Sequence, residues 1–226
     1  MSVKIIIPIL ICSIGFGTMP RSVIAFAYPY YTETASNSNA SSLTITNSTL
    51  LQSDLLLVVG VCLKGDAGTT VSGMTHNGLA LTKLRDDQNS GGLQPRSEIW
   101  YRVAPSTSIG SIVVTLSSAT AVAATASFFQ SAHQSTPLNQ HTGTTGVGTA
   151  VSVTHNPSNT SRTTYSVVCT GDASAAPPTI TASQSGGYNL NVISDDICSG
   201  SCGAGGVRLE SSRFEPKTGT ASATLS

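Results

Sequence analysis

The stretch Asp54-Leu-Leu-Leu-Val-Val-Gly-Val-Cys-Leu63 sets the reading of this chain. A single charge is followed by an unbroken apolar run. The run is too short to span a membrane as a helix and too rich in Val to favour one. Without polar alternation it reads as a strand covered on both faces, at the centre of a β-sandwich. Most of the chain beyond Leu63 alternates at period two and can pack around it.

The segments after it support an all-β class. Val71 to Thr75, His76-Asn77-Gly78 and Leu79 to Arg85 read as a hairpin, because Asn-Gly supplies the positive φ angles of a type I′ turn. Asp86 to Pro95 reads as a loop and Ser97 to Val103 as a strong strand. Ile112 to Leu116 and Val122 to Phe129 come next as two strands, then a Gly/Thr/His loop from Ser131 to Gly148. Shorter runs from Ala150 to Leu225 complete roughly 12–13 short antiparallel strands, with turn signals at the spacing of a sandwich or jelly roll. The expectation is a single disulfide-stapled β-sandwich or jelly roll. No helix longer than a turn is expected.

Composition bounds the partners. Charged residues are 10% of 226, against about 25% in ordinary soluble domains. Eleven basic residues balance eleven acidic ones, so no basic patch invites nucleic acid. A Ser/Thr-rich surface suits an exported protein. Met1 to Lys4 is a short positive segment, Ile5 to Gly15 an apolar core, and Ala25-Phe-Ala27 a small-x-small cleavage pattern. Residues 1–27 are thus expected to be a signal peptide, with a retained N-terminal anchor as the alternative, 28–42 a flexible polar leader and 43–226 the β-sandwich domain. No membrane attachment is expected after cleavage.

Export sets the cysteine reading. Cys62, Cys169, Cys198 and Cys202 would remain, and four cysteines allow three connectivities. Cys62 and Cys169 each end an apolar strand and precede a Gly-Asp-Ala turn, so they are expected to be bonded neighbours. Cys198-Ser-Gly-Ser-Cys202 can close a local loop. Zinc is the rival reading, at the wrong spacing for the common knuckles. Asp66 and Asp172 would then share one rim, where with Asp195 and Asp196 they offer calcium hard oxygen ligands; turns that satisfy their own backbone are the alternative. No other cofactor is implied.

The order of several segments resembles a family of secreted β-sandwich modules in bacterial, archaeal and phage surface proteins. The residues concerned are Asp54 to Gly60, Met74 to Thr82, Glu98-Ile-Trp-Tyr101, Ala104-Pro105, Phe128-Phe129-Gln130 and Thr136-Pro137-Leu138. The resemblance implies an adhesive, structural or carbohydrate-associated unit and no catalytic set. The architecture is also similar to that of jelly-roll, pilus-like filament subunits of archaea and bacteria.

Catalytic motifs are missing from the sequence: there is no Gly-x-Ser-x-Gly, His-Glu-x-x-His or phosphate loop. Glu98 and Glu210 lie on strands that can face each other as glycosidase carboxylates do, against the plainer reading of outer-face residues. His76, His133, His141 and His155 fall in expected turns and loops, with His133 and His141 the only metal pair to consider. Trp100 reads as a core anchor, with a sugar-stacking platform as the alternative. The sequons at Asn39, Asn47 and Asn159 are candidate glycosylation sites. Leu43-Thr44-Ile45-Thr46 reads as a strand that either exchanges into a neighbouring copy or folds back on its own sheet. The sequence therefore points to a non-enzymatic surface or filament subunit whose partners are other copies of itself. A monomeric adhesive module binding surface glycans is the alternative, and a secreted glycan-active enzyme the third.

Overall fold

A computed structural model describes residues 9–14, 29–65, 68–89, 94–146, 150–155, 163–171, 180–184, 190–199, 206–214 and 219–225. The stretch from Asp54 to Leu63 forms strand β3 (Leu56–Lys64), paired antiparallel with β7 (Pro95–Val103) on one edge and β8 (Gly110–Phe129) on the other. Successive side chains point to opposite faces, and both faces of β3 are dry. Leu57, Val59, Val61 and Leu63 enter one core, while Leu56, Val58 and Cys62 enter a second. That explains the missing polar break. Each such aliphatic side chain contributes about 1.5–3 kcal/mol on burial. Gly60 breaks the run for a steric reason: a Cβ there would lie 2.4 Å from Val167 Cγ2 and 2.9 Å from Tyr165 Oη.

The remaining strands are β1 (Ile9–Ile14), β2 (Pro29–Asn47), β4 (Val71–His76), β5 (Leu79–Ala80), β6 (Thr82–Gln88), β9 (Leu138–Thr144), β10 (Ala150–His155), β11 (Thr163–Gly171), β12 (Ile180–Gln184), β13 (Leu190–Cys198), β14 (Val207–Phe214) and β15 (Gly219–Leu225). Among the described residues there is no α-helix. The strands make three antiparallel sheets: one of seven, ordered β5-β4-β8-β3-β7-β6 with β2 also on β8; one of five, ordered β13-β14-β11-β1-β9; and one of three, ordered β10-β15-β12.

The seven-stranded sheet curls around the first core. Its longest strand, β8, pairs with β4 through its first half and β3 through its second. Along β8 runs β2, with register shifts between Asn37 and Ser42. Laid straight, residues 31 to 48 would span more than about 50 Å. Yet Tyr31 Oη lies 3.1 Å from Ser48 Oγ and accepts the Ser48 N–H at 3.2 Å, so β2 bends back on itself. The second core lies between this sheet and the five-stranded one, where Tyr165, Val167, Val207 and Leu209 meet Leu56, Val58, Ile99 and Phe129. Cys62 and Cys169 are bonded across it, with Cα atoms 5.1 Å apart.

Several expectations hold and several are revised. Asn77 (φ 49°) and Gly78 (φ 78°) make the turn between His76 and Leu79. The strand expected to run on to Arg85 instead breaks at Leu81, whose N–H donates to Met74 O, and β6 then pairs with β7. Ile112–Leu116 and Val122–Phe129 are one strand, because β2 and the Ser117 N–H bond to Thr70 O carry pairing through the Ser/Thr segment between them. The segment 28–42, expected as a flexible leader, is strand from Pro29 onward. Residues 9–14, inside the expected signal peptide, form β1 between β9 and β11.

Candidate functional site

The N-terminal strand has two unlike parts. Of residues 29–42, none is buried; at the end of the strand Leu43, Ile45 and Asn47 are buried while Thr44 and Thr46 are exposed. Leu43 pairs with Val114 and Ile45 with Ile112, and both enter the first core. The segment Leu43–Thr46 is therefore folded back on its own sheet, since alternate apolar residues find a complete core there. Its exchange into a neighbour would forfeit that burial.

Across the molecule, β1 occupies a strand position with partners on both edges. Ile11 pairs with Ser166 of β11 and with Thr142 of β9, and both ladders are antiparallel. β9 ends the five-stranded sheet, so among the described residues β1 is its only ladder partner there. Side-chain contacts outside the ladder also place β9. Asn89 Nδ2 donates to Gly146 O at 3.0 Å. Gly143 packs on Asp87, whose Oδ2 would be 2.1 Å from a Cβ at that position. Asp87 is held by Arg85 through bonds of 2.6 and 2.7 Å, which keep the guanidinium protonated above its ordinary range.

Asn47 ends β2 and ties it down. Its Nδ2 donates to Ser48 O (2.9 Å) and Ser108 O (3.2 Å), and its Oδ1 lies 3.1 Å from His76 Nε2. With Oδ1 as acceptor, His76 carries a proton on Nε2. Its Nδ1 has no hydrogen-bond partner among the described residues, and its ring meets the Phe128 ring edge-on at 5.7 Å. Burial, then the Arg102 charge, push the His76 pKa below its ordinary value. Two expectations change here. His76 is a buried strand residue and not a loop histidine. Asn47 is 1% exposed with its amide engaged, so a glycan has no room on that sequon in the folded chain.

A third constellation gathers around Glu98 and Trp100, which the sequence offered separately and not as one cluster with Arg96. Arg96, Glu98 and Trp100 alternate on one face of β7, all buried. Glu98 Oε1 accepts from Arg96 Nε (2.8 Å) and from the Val71 N–H (3.1 Å), while Oε2 accepts from Trp100 Nε1 (2.9 Å). Arg96 also donates to Gln88 Oε1 at 2.9 Å and to Asp86. Lys83 Nζ lies 3.3 Å from Asp86 Oδ1, 3.8 Å from Glu98 Oε2 and 5.8 Å from the Trp100 ring centroid. A buried carboxylate is tolerable only with such partners. The legible signal was the i, i+2, i+4 spacing of Arg, Glu and Trp.

This placement separates Glu98 from Glu210. Glu98 shares the Trp100 face, toward the first core. On β14, Leu209 enters the second core and Ser211 Oγ reaches Thr125 Oγ1 at 3.4 Å, so Glu210 alternates to the far face. The two carboxylates are not brought together. Trp100 is 7% exposed and packs in the core. His133 Nδ1 accepts the Thr136 N–H at 2.9 Å and the Ser135 N–H at 3.2 Å, capping its own turn, and His141 is exposed on β9.

Of the other expected site residues, Asp66, Asp172, Cys202 and Asn159 lie outside the described residues. Among the described residues no three His, Cys, Asp or Glu side chains cluster as metal ligands. Cys198 is disulfide-bonded, and Arg208 Nε donates to its Sγ at 3.1 Å. Asn39 is exposed on β2. No helix among the described residues is long and apolar enough to cross a membrane. No protein-family model matches the chain, and no curated protein or solved structure does. The resemblance to secreted β-sandwich modules thus rests on its sequence segments alone.

Proposed function

We propose that the chain is an exported, non-enzymatic structural subunit of an extracellular filament or surface assembly, joined to other copies by β-strand addition. The two larger sheets are read as the layers of one β-sandwich of jelly-roll type. One observation carries the proposal: β1, with a ladder on each edge, comes from the segment whose sequence reads as removable on export. Its removal leaves two facing strand edges without a partner, and unpaired edges are templates for another chain. The Cys62–Cys169 bond suits an oxidising compartment. A structural role also fits Glu98, which is fully buried and engaged by Arg96, Trp100 and Val71.

The test is intact-mass spectrometry and negative-stain electron microscopy of the protein recovered outside an exporting host. A chain beginning at Tyr28 that forms polymers supports the proposal; a cleaved, monodisperse monomer contradicts it.

One observation favours the second reading, a monomeric adhesive module for surface glycans. Tyr30, Leu51, Leu79 and Ile109 are exposed. Their segments converge at one end, through Tyr31 to Ser48, Leu50 N to Thr107 O, and Asn77 N to Ser111 O. Glycan-array binding by a monomer, lost in Y30A, would favour that reading.

A further inference from the structure

We infer that the strand position of Ile9–Ile14, once vacated, is the acceptor for Pro29–Thr34 of a second copy. The inference rests on the proposed export and deepens it by naming both halves of the joint.

The ladders define the acceptor. β1 is antiparallel to β9 and to β11, which leaves those two strands one strand apart and facing. An extended peptide entering there bonds on two edges, where addition to an ordinary sheet edge bonds on one. The slot keeps its walls when β1 leaves. β11 is held by its ladder to β14 and by the Cys62–Cys169 bond. β9 is held by the Asn89 bond to Gly146 and by Gly143 seated on Asp87. Closed-up pairing of β9 with β11 would have to break those contacts.

Burial defines the donor. Cleavage after Ala27 places the new N-terminus one residue before β2. The first fourteen residues of β2 include no fully buried side chain; Tyr31, on the Phe128 ring and Ser48, and Ala35 are partly buried against the core, whereas Leu43, Ile45 and Asn47 are buried and anchor its end. Pro29–Thr34 can therefore leave while the strand stays rooted. Ala35 to Ser42 then serves as a tether of about 26 Å when extended. In its own chain Pro29–Thr34 pairs along one edge of β8, from Phe129 to Thr125. In the acceptor it gains two ladders for that one. Pro29 fits the first position of a strand, where a missing N–H is tolerated. The same cut creates donor and acceptor, which confines assembly to chains that have already been exported.

The experiment uses the whole gene in an exporting host. In the β1 register, Thr32 takes the place of Cys12, opposite His141. T32C and H141C are exported separately, mixed under mild oxidation, and the tryptic peptides sequenced. A crosslinked peptide joining positions 32 and 141 of different chains is expected. T32P should lose assembly in sedimentation while the monomer keeps its strand content by circular dichroism, with a thermal midpoint lowered only by the loss of its pairing to Ser127 of β8. Cleaved chains that assemble without the 32–141 crosslink overturn the donor assignment and leave the export reading standing. A crosslink found only within the T32C/H141C double variant shows capture by the same chain and overturns the second copy. Exported protein that retains residues 1–27 overturns both readings.

Discussion

Strands β3 and β1 are both interior strands with two antiparallel neighbours, yet they are secured differently. β3 arrives between β7 and β8, with apolar side chains in a core on each side and a disulfide at Cys62. β1 arrives from the first fourteen residues and bridges β9 and β11. Equal ladders do not mean equal permanence. A strand with buried side chains on both faces is part of the fold; the position of β1, under the proposed export, is one that another strand would take.

The largest effect should come from cutting the bond that fastens β3 to β11. The C62S/C169S pair opens a loop of sequence separation 107, and the unfolding free energy should fall by roughly 4–5 kcal/mol in the chain-entropy model. Chemical denaturation of parent and variant reads this directly. A change under about 1 kcal/mol would mean that packing alone holds the two sheets together.

Next in size is the charge network beneath β7. R96M leaves Glu98 fully buried without its guanidinium and should cost about 3–5 kcal/mol. R96M/E98M should recover much of that loss, because no charge is then stranded. If the double variant is as unstable as the single, the network owes its worth to shape and not to charge.

G60A tests how closely the layers approach at β3. Its Cβ would meet Val167 at 2.4 Å, so overpacking should cost about 1–3 kcal/mol, seen as a lower thermal midpoint. A neutral result would show that β11 can retreat, and so would loosen the wall of the β1 position.

The smallest effect is a pH dependence at the foot of β2. His76 titrates below its ordinary value in the folded chain, whereas the unfolded chain binds the proton near pH 6.5. Stability from the neutral ring is therefore full above about pH 6.5 and lost as pH falls from there toward the folded value. The loss cannot exceed about 1.4 kcal/mol per pH unit. Thermal midpoints of parent and H76Q, compared at pH 7.5 and 5, should converge toward acid. Parallel curves would remove His76 from the anchoring of β2.

Much of the strand framework around β3 was legible because its signals are local. The apolar run at Asp54, the Asn77-Gly78 turn and the matching surroundings of Cys62 and Cys169 each carry their meaning within a few residues. The features that escaped depend on curvature and on distant pairing. Arg96 and Glu98 look like outer-face charges on an ordinary flat sheet. Only because the seven-stranded sheet curls does their face turn inward. Ser117 to Thr120 carries turn residues, and only the long partner β2 makes it strand. Ile9 to Ile14 is apolar enough for an export signal and for an interior strand alike, and a linear motif reveals only the first. Asn47 matches a sequon, but its burial against His76 depends on the fold.

Hydrogen exchange on the exported protein, followed in β9 and β11, tests the vacated strand position most directly. In cleaved monomers the amides of Leu138–Thr144 should exchange fast, since β1 is their only ladder partner among the described residues of that sheet, while those of β11 bonded to β14 stay protected. On assembly the β9 amides should slow to the rate of their β11 neighbours. Equal, strong protection of β9 in monomer and assembly would contradict a strand position that opens on export and is filled by another copy.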